Sequence, residues 1–201
     1  DSNPARWKGL LDKLLPAPGK VTKTTHFQAL PYAQLPVFME QLVGQEGMGA
    51  KALLFLILTA ARSGEVRGAT WEEIDLAARV WTIPAERMKA SKAHRVPLSD
   101  AAIAVLQEMK ALALAAGRTT GKAYVFPSPN SRDPELGSQL SDMTLTAVLR
   151  RLKLEAVPHG FRSTFRDWCA EQTDYPNEVA EMALAHTVGN KVEAAYRRGD
   201  L

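Results

Sequence analysis

Ten residues in the front third of the chain, Ala52–Ala61 (ALLFLILTAA), contain a single polar side chain, Thr59. A helix that is apolar all round has no face to give to water, so other elements must surround it. Residues 50–61 are therefore expected to form a helix at the centre of the core. The run is too short to cross a membrane, which takes about 20 residues. The length of 201 residues suits one domain with a short extra arm. A chain of this size buries roughly 70% of its unfolded surface and needs no disulfide or metal staple. Hydrophobic residues at 46% and charged residues at 23% exclude wholesale disorder. Cys169 is the only cysteine, which excludes an intrachain disulfide and a cysteine-based zinc cluster and fits a reducing compartment.

The punctuation around that run sets the other elements. Pro4, Pro16, Pro18, Gly19 and Pro31 mark residues 1–31 as a linker or extended arm. This arm holds five Lys/Arg against two Asp, so the whole net charge of +3 lies there. A mild basic excess permits nucleic-acid binding, and a solvated polar arm explains it equally well. The chain opens on Asp1 rather than Met and is expected to be part of something longer. Pro31 opens a helical pattern over 32–42, which Gly44, Gly47 and Gly49 break. Ser63 is placed to cap a short helix, with Glu65 in its first turn. Trp71–Ile74, Val80–Ile83 and Arg95–Leu98 read as strands of a small antiparallel sheet. Ser99 and Asp100 cap a helix to about Ala116, and Gly117 ends it. Tyr124–Pro127 is extended, and 128–140 is a polar loop. Helices are expected near 141–154, 159–173, 177–185 and 189–198. The class is α+β, mostly α-helical.

Several residues stand out as chemistry, each with an ordinary structural explanation beside it. Arg62 follows a buried helix, where a guanidinium must be paired, with Glu65 or the helix dipole, or be used. His159 and Arg162 share one face of a helix start, and Arg166 extends it. Such cations at a helix N-terminus suit an anion, and they also suit a plain polar face. Phe161, Phe165, Trp168 and Cys169 mark the opposite, core-facing side. His186 ends an apolar stretch, where a histidine is most often a satisfied cap or core residue. Tyr196 near a terminus is most often packing. Lys89 and Lys92 lie between strands, where lysines are usually solvated. No Walker loop, dinucleotide fingerprint or His-Glu-x-x-His motif is present.

Taken in order, these residues resemble the signature of the tyrosine recombinases: Arg62, Lys89, His159-x-x-Arg162, His186, Tyr196. The sequence is similar to the catalytic domain of phage-type integrases, particularly those of satellite phages and bacterial genomic islands. The stretches that carry the likeness are Ala60–Gly68 (AARSGEVRG), Ile83–Leu98 (IPAERMKASKAHRVPL), Tyr124–Ser128 (YVFPS), His159–Arg162 (HGFR) and Leu184–Arg197 (LAHTVGNKVEAAYR). They span about residues 30–198.

The resemblance implies the recombinase catalytic fold with its three-stranded antiparallel sheet. It implies site-specific DNA recombination, the integration or excision of a mobile element, without metal or other cofactor. Tyr196 would attack the scissile phosphate and form a 3′-phosphotyrosyl link. Arg62, Arg162 and His186 would hold the phosphate, Lys89 would protonate the leaving 5′-oxygen, and His159 would assist the proton of Tyr196. Glu65 would orient Arg62. The family's lysine lies eight residues before the proline after the third strand, which selects Lys89 by counting back from Pro97, with Lys92 as the second choice. Residues 1–31 are then a linker at the end of a core-binding domain, and 32–201 the catalytic domain, closing soon after the nucleophile. The partner is double-stranded DNA in the bacterial cytoplasm, with a tetramer on DNA for the full-length protein. These 201 residues alone are expected to be monomeric and to bind DNA weakly. Topoisomerase-IB-like DNA relaxation and a non-catalytic DNA-binding module are the alternatives.

Overall fold

The structure is a computed structural model that describes residues 3, 5–15 and 27–186. The helix expected over 189–198, and Tyr196 with it, lies outside these residues. Residues 5–15 hold an irregular turn over Trp7–Leu11 and a single turn of helix, α1 (Asp12–Leu14).

The apolar run forms α3 (Met48–Thr59), entered through Gly47 at φ +97°. Ala52, Leu53, Phe55 and Leu56 are completely buried. The surrounding elements are α2 (Leu35–Val43), α4 (Ser63–Arg67), α5 (Asp100–Ala115) and α6 (Thr144–Arg151). Gly49 lets α6 come close, since a Cβ there would lie 2.8 Å from Thr144 Cγ2. Phe55 meets the rings of Trp81 and Phe126 at 5.3 and 5.4 Å between centroids. A helix hydrophobic on every side thus becomes the axle of the domain.

The sheet packs on this axle. It runs β1 (Ile74–Asp75), β2 (Val80–Ile83) and β3 (His94–Pro97), antiparallel throughout and adjacent in chain order. Trp81 pairs with Val96 and Ile83 with His94. The two-residue period puts Trp81, Ile83 and Val96 inward. Trp71 leads into the sheet through a 3₁₀ turn (Trp71–Glu73) rather than as strand. Its N–H and that of Glu72 bond the carbonyls of Ala123 and Gly121, so these donors are lost to the ladder. Ser99 caps α5 by accepting the Ala102 N–H at 3.3 Å, and Gly117 follows it at φ +73°.

Two further helices complete the described fold, α7 (Gly160–Gln172) and α8 (Asn177–Ala183). Residues 27–30 lie along the start of α7: Gln28 O accepts Val157 N–H at 3.1 Å, and Leu30 O accepts the Thr164 hydroxyl at 2.5 Å. Only glycine fits at 160, because a Cβ there would overlap the Gln28 carbonyl. On α7 the expected core face holds at Phe161 and Cys169, which are buried, and fails at Trp168, which is 42% exposed. Trp168 sits at the rim, lining a shallow groove with Tyr32, Leu35, Pro36 and Met39.

Candidate active site

The first arginine owes its position to the way α3 ends. Ala60 leaves the helix in the left-handed region, φ +49° and ψ +24°, at a cost of about 1 kcal/mol for a residue with a Cβ. Arg62 therefore stands beyond α3, extended, as the N-cap residue of α4. Ser63 is the first residue of α4 rather than its cap, and the capping falls to Glu65. Its Oε2 accepts the Arg62 backbone N–H at 2.8 Å, and its Oε1 accepts Arg62 Nη1–H at 2.8 Å. Glu65 is 6% exposed, so one buried carboxylate fixes both the helix start and the guanidinium.

Arg162 arrives from the first turn of α7 and is buried. Its Nη1–H donates to Ala60 O at 2.6 Å and its Nη2–H to Leu184 O. Its Nε has no acceptor among the described residues. Arg62 Nη2 reaches the same turn, 3.5 Å from Leu184 O and 3.3 Å from Ala185 O. Burial, with the Arg62 charge adding to it, pushes the Arg162 pKa down to about 10. Arg162 therefore remains charged at neutral pH, and Arg62 shares the Leu184 carbonyl with it.

The turn that receives them closes α8. Ala185 has φ +49°, Ala185 N–H bonds Met182 O at 2.9 Å, and His186 N–H bonds Glu181 O at 2.9 Å. This is a Schellman ending with alanine where glycine is usual. It folds His186 back over Glu181, whose Oε2 accepts His186 Nδ1–H at 2.7 Å. Arg166 Nε–H donates to the other oxygen of Glu181 at 2.5 Å. Arg162 Nη2 lies 3.1 Å from His186 Nε2. Hydrogen bonds from Arg166 and then His186 hold the Glu181 carboxyl below the usual carboxylate range.

His159 takes the position before α7 and lays its ring against Phe27, 4.5 Å between centroids. Desolvation, then the charges of Arg162, Arg62 and His186, keeps it below the usual histidine range and so neutral at pH 7. Lys89 stands apart. It is exposed on the β2–β3 connection, with no hydrogen bond or ion pair among the described residues, as is Lys92. What holds this connection is Arg87, which bonds Glu73 through Nη1 and the Glu65 carbonyl through Nη2. Trp81 Nε1–H fills the other oxygen of Glu73 at 2.9 Å.

Direct contacts thus join Glu65 to Arg62 and Arg162 to His186, and both guanidiniums meet on the Leu184–Ala185 turn. His159 adjoins this cluster, Lys89 makes no contact with it although Arg87, two residues before it, bonds the Glu65 carbonyl, and Tyr196 falls outside the described residues. Four residues not foreseen belong to the cluster or its supports: Glu181, Arg87, Glu73 and His94. His94 is half-buried at the head of β3, beside the Ala183 backbone. Burial holds it below the usual histidine range, and Glu65, Arg62 and Arg162 all act on it. Strand alternation from buried Val96 would have turned it inward.

Residues 32–200 match the family model described as the phage integrase family. Prophage integrase IntA of Escherichia coli (strain K12) is 37% identical over 171 residues, covering 83% of this chain and 39% of IntA. The integrase of Enterobacteria phage P4 is 32% identical over 215 residues, covering 98% of this chain and 45% of that protein. The chain therefore spans less than half the length of these relatives. Among solved structures, the Tn1549 transposon integrase in complex with a circular intermediate DNA has a TM-score of 0.61 at 16% identity, covering 92% of this chain and 64% of that one. A lambda integrase tetramer bound to a Holliday junction has a TM-score of 0.57 at 17% identity, covering 84% and 50%. The fold is that of a tyrosine recombinase catalytic domain, as the sequence leads one to expect. The chain belongs to the phage integrase family. Among the described residues, no helix is long and apolar enough to cross a membrane.

Proposed function

We propose that this chain is the catalytic part of an enzyme that cuts and rejoins DNA at a specific site to integrate or excise a mobile element. The observation that carries this reading is the meeting of Arg62, Arg162 and His186 on one turn, with a carboxylate behind each end of the cluster. Two adjacent guanidiniums, one of them buried, repel each other. An anion between them reverses that penalty, and a scissile phosphate is an anion of the right kind. Its two non-bridging oxygens match two planar forks. In the free protein, main-chain carbonyl oxygens accept these donors; phosphate oxygens would take their place. Arg162 Nε adds a donor still without an acceptor.

The chemistry follows from that cradle. Tyr196 Oη attacks phosphorus, the bond to the 5′-oxygen breaks, and a 3′-phosphotyrosyl link retains the phosphodiester energy for rejoining. Free tyrosine has a pKa of about 10, so its proton needs an acceptor at neutral pH. His159, held neutral, is suited to receive it. Lys89, on a connection tethered to Glu65 by Arg87, supplies the proton for the leaving 5′-oxygen. The arginines stabilise the crowded transition state without a metal ion. Double-stranded DNA in the bacterial cytoplasm is the partner, the whole protein acts as a tetramer on it, and residues 1–31 link a core-binding domain to the catalytic domain.

The test is a nicked suicide DNA carrying the element's attachment core, incubated with wild type and Tyr196→Phe in the presence of chelator. A covalent protein–DNA adduct that disappears in the variant is the expected result. No adduct, from this chain or from one extended by the preceding domain, would overturn the catalytic reading in favour of a DNA-binding module.

A further inference from the structure

We propose that Glu181 is a positioning residue: across the Schellman turn it fixes His186 with its proton on Nδ1, so that Nε2 faces the phosphate cradle beside Arg162. This rests on the function proposed above. The geometry fixes the ring from both sides. An ionised carboxylate only accepts, so the 2.7 Å contact puts hydrogen on Nδ1. A guanidinium only donates, so the 3.1 Å contact makes Nε2 the acceptor in the neutral ring. The backbone sets the distance: the His186 N–H to Glu181 O bond draws the two residues together, and the apolar contact usual at this point of a Schellman motif is replaced by a hydrogen bond.

The consequence bears on how His186 serves the phosphate. Nε2 can donate only when the ring is an imidazolium, because Nδ1 keeps its own proton on Glu181. Glu181 is then the counter-charge that steadies the cation among its neighbours. Those neighbours are Arg162 and Arg166 on α7, Arg62 from the head of α4, His159 at the start of α7, and His94 on β3 beside Ala183. Glu181 is the carboxylate in direct contact with His186, and Arg162, on the other side of the ring, is a cation. The second oxygen of Glu181 is occupied by Arg166, so the carboxylate cannot swing away to neutralise Arg162 instead. In metal sites, where a ligating histidine is backed by a carboxylate in the same geometry, loss of the carboxylate costs roughly 10–100-fold.

The test has an arm that needs no DNA. In the ¹⁵N-labelled full chain, long-range ¹H–¹⁵N correlation of His186 is expected to show Nδ1 as the protonated nitrogen of the neutral ring. That signal persists in Arg166→Gln, which removes the other ion pair of Glu181, and disappears in Glu181→Ala. A neutral ring protonated on Nε2, or an Nδ1 proton indifferent to Glu181→Ala, would overturn the inference whether or not the chain cleaves DNA. In single-turnover cleavage, Glu181→Gln is expected to slow adduct formation about tenfold with unchanged DNA affinity, and to have no further effect in a His186→Ala background. An equal loss in that background would mean that Glu181 merely holds α8 together. Failure of wild type to form the adduct would count against the proposed function and leave the nitrogen spectra to decide the role of Glu181.

Discussion

Replacing Glu65 by glutamine separates its structural duty from the catalytic one proposed for it. The carboxylate accepts two hydrogen bonds from Arg62, one from the backbone and one from the guanidinium, each 2.8 Å. Glutamine keeps one acceptor oxygen and turns an amide N–H toward the other donor. One charge-assisted bond is lost, worth about 1.5–3 kcal/mol, and one poorly solvated donor is left unpaired. Arg62 is 24% exposed at its side chain, so water compensates the guanidinium in part, and the net cost is about 3 kcal/mol. For a domain of this size that lowers Tm by roughly 6–12 °C. Arg62→Met differs in kind. It leaves the backbone N–H, and with it the cap of α4, but strips the buried Glu65 carboxylate of its guanidinium, so its Tm falls by a comparable amount, roughly 6–12 °C. Its effect on covalent adduct formation is expected to be the larger of the two, since the proposed phosphate donor is gone. Calorimetric melts of both variants, with adduct yield on suicide DNA, check the ordering. Glu65→Gln melting within 2 °C of wild type (roughly the effect of 1 kcal/mol) would refute the reasoning.

Arg162→Lys replaces a fork that serves Ala60 O, Leu184 O and His186 by one ammonium, and adduct formation is expected to fall about 10²–10³-fold in single-turnover assays. Ala185→Gly removes a Cβ from a left-handed position and should raise Tm by about 2–4 °C, measured by circular dichroism, with the adduct retained. Gly160→Ala forces residues 28–30 off α7 and should lower Tm by about 10 °C, while an equal substitution at exposed Gly64 should not. The folded-state pKa values of His94 and His159 both lie below 6.5, so as pH falls the unfolded chain takes up protons first. Their contribution to stability is complete above about pH 6.5 and is lost as pH falls through the lower folded values, so Tm should drop as the pH is taken below about 6.5. His94→Asn should flatten part of that slope.

The elements were legible because each is announced locally. The Ala52–Ala61 run can only be interior, Ser99 and Gly117 bracket α5, and the alternation in Val80–Ile83 and His94–Pro97 matches the pleat. Trp71 and Trp168 were misplaced for the same reason from opposite directions. An aromatic side chain reports burial only on average. What decides is whether a neighbouring segment, residues 121–124 for Trp71 or the edge of α2 for Trp168, claims its backbone or covers its ring.

The supports of the site were hidden for a different reason. Arg62, Arg162 and His186 are recognisable in sequence order because the phosphate chemistry proposed above uses those side chains. Glu181, Glu73 and Arg87 touch no reacting atom, so no chemistry marks them; they are ordinary charges until the fold brings them together. Arg87 joins Glu73 and Glu65 from 14 and 22 residues away, a separation no local pattern spans. Glu181 was nearer to being readable. A helix known to end at Leu184 in a left-handed turn puts the residue two beyond its end back over the residue three before it, and those are His186 and Glu181. Backbone geometry that looks like mere helix termination is therefore part of the site. The alanines at 60 and 185, each in a conformation alanine resists, aim carbonyls at Arg162 and Arg62 and fold His186 onto its carboxylate. The strain lies where the arginines converge, which suits the anion-binding role proposed for them.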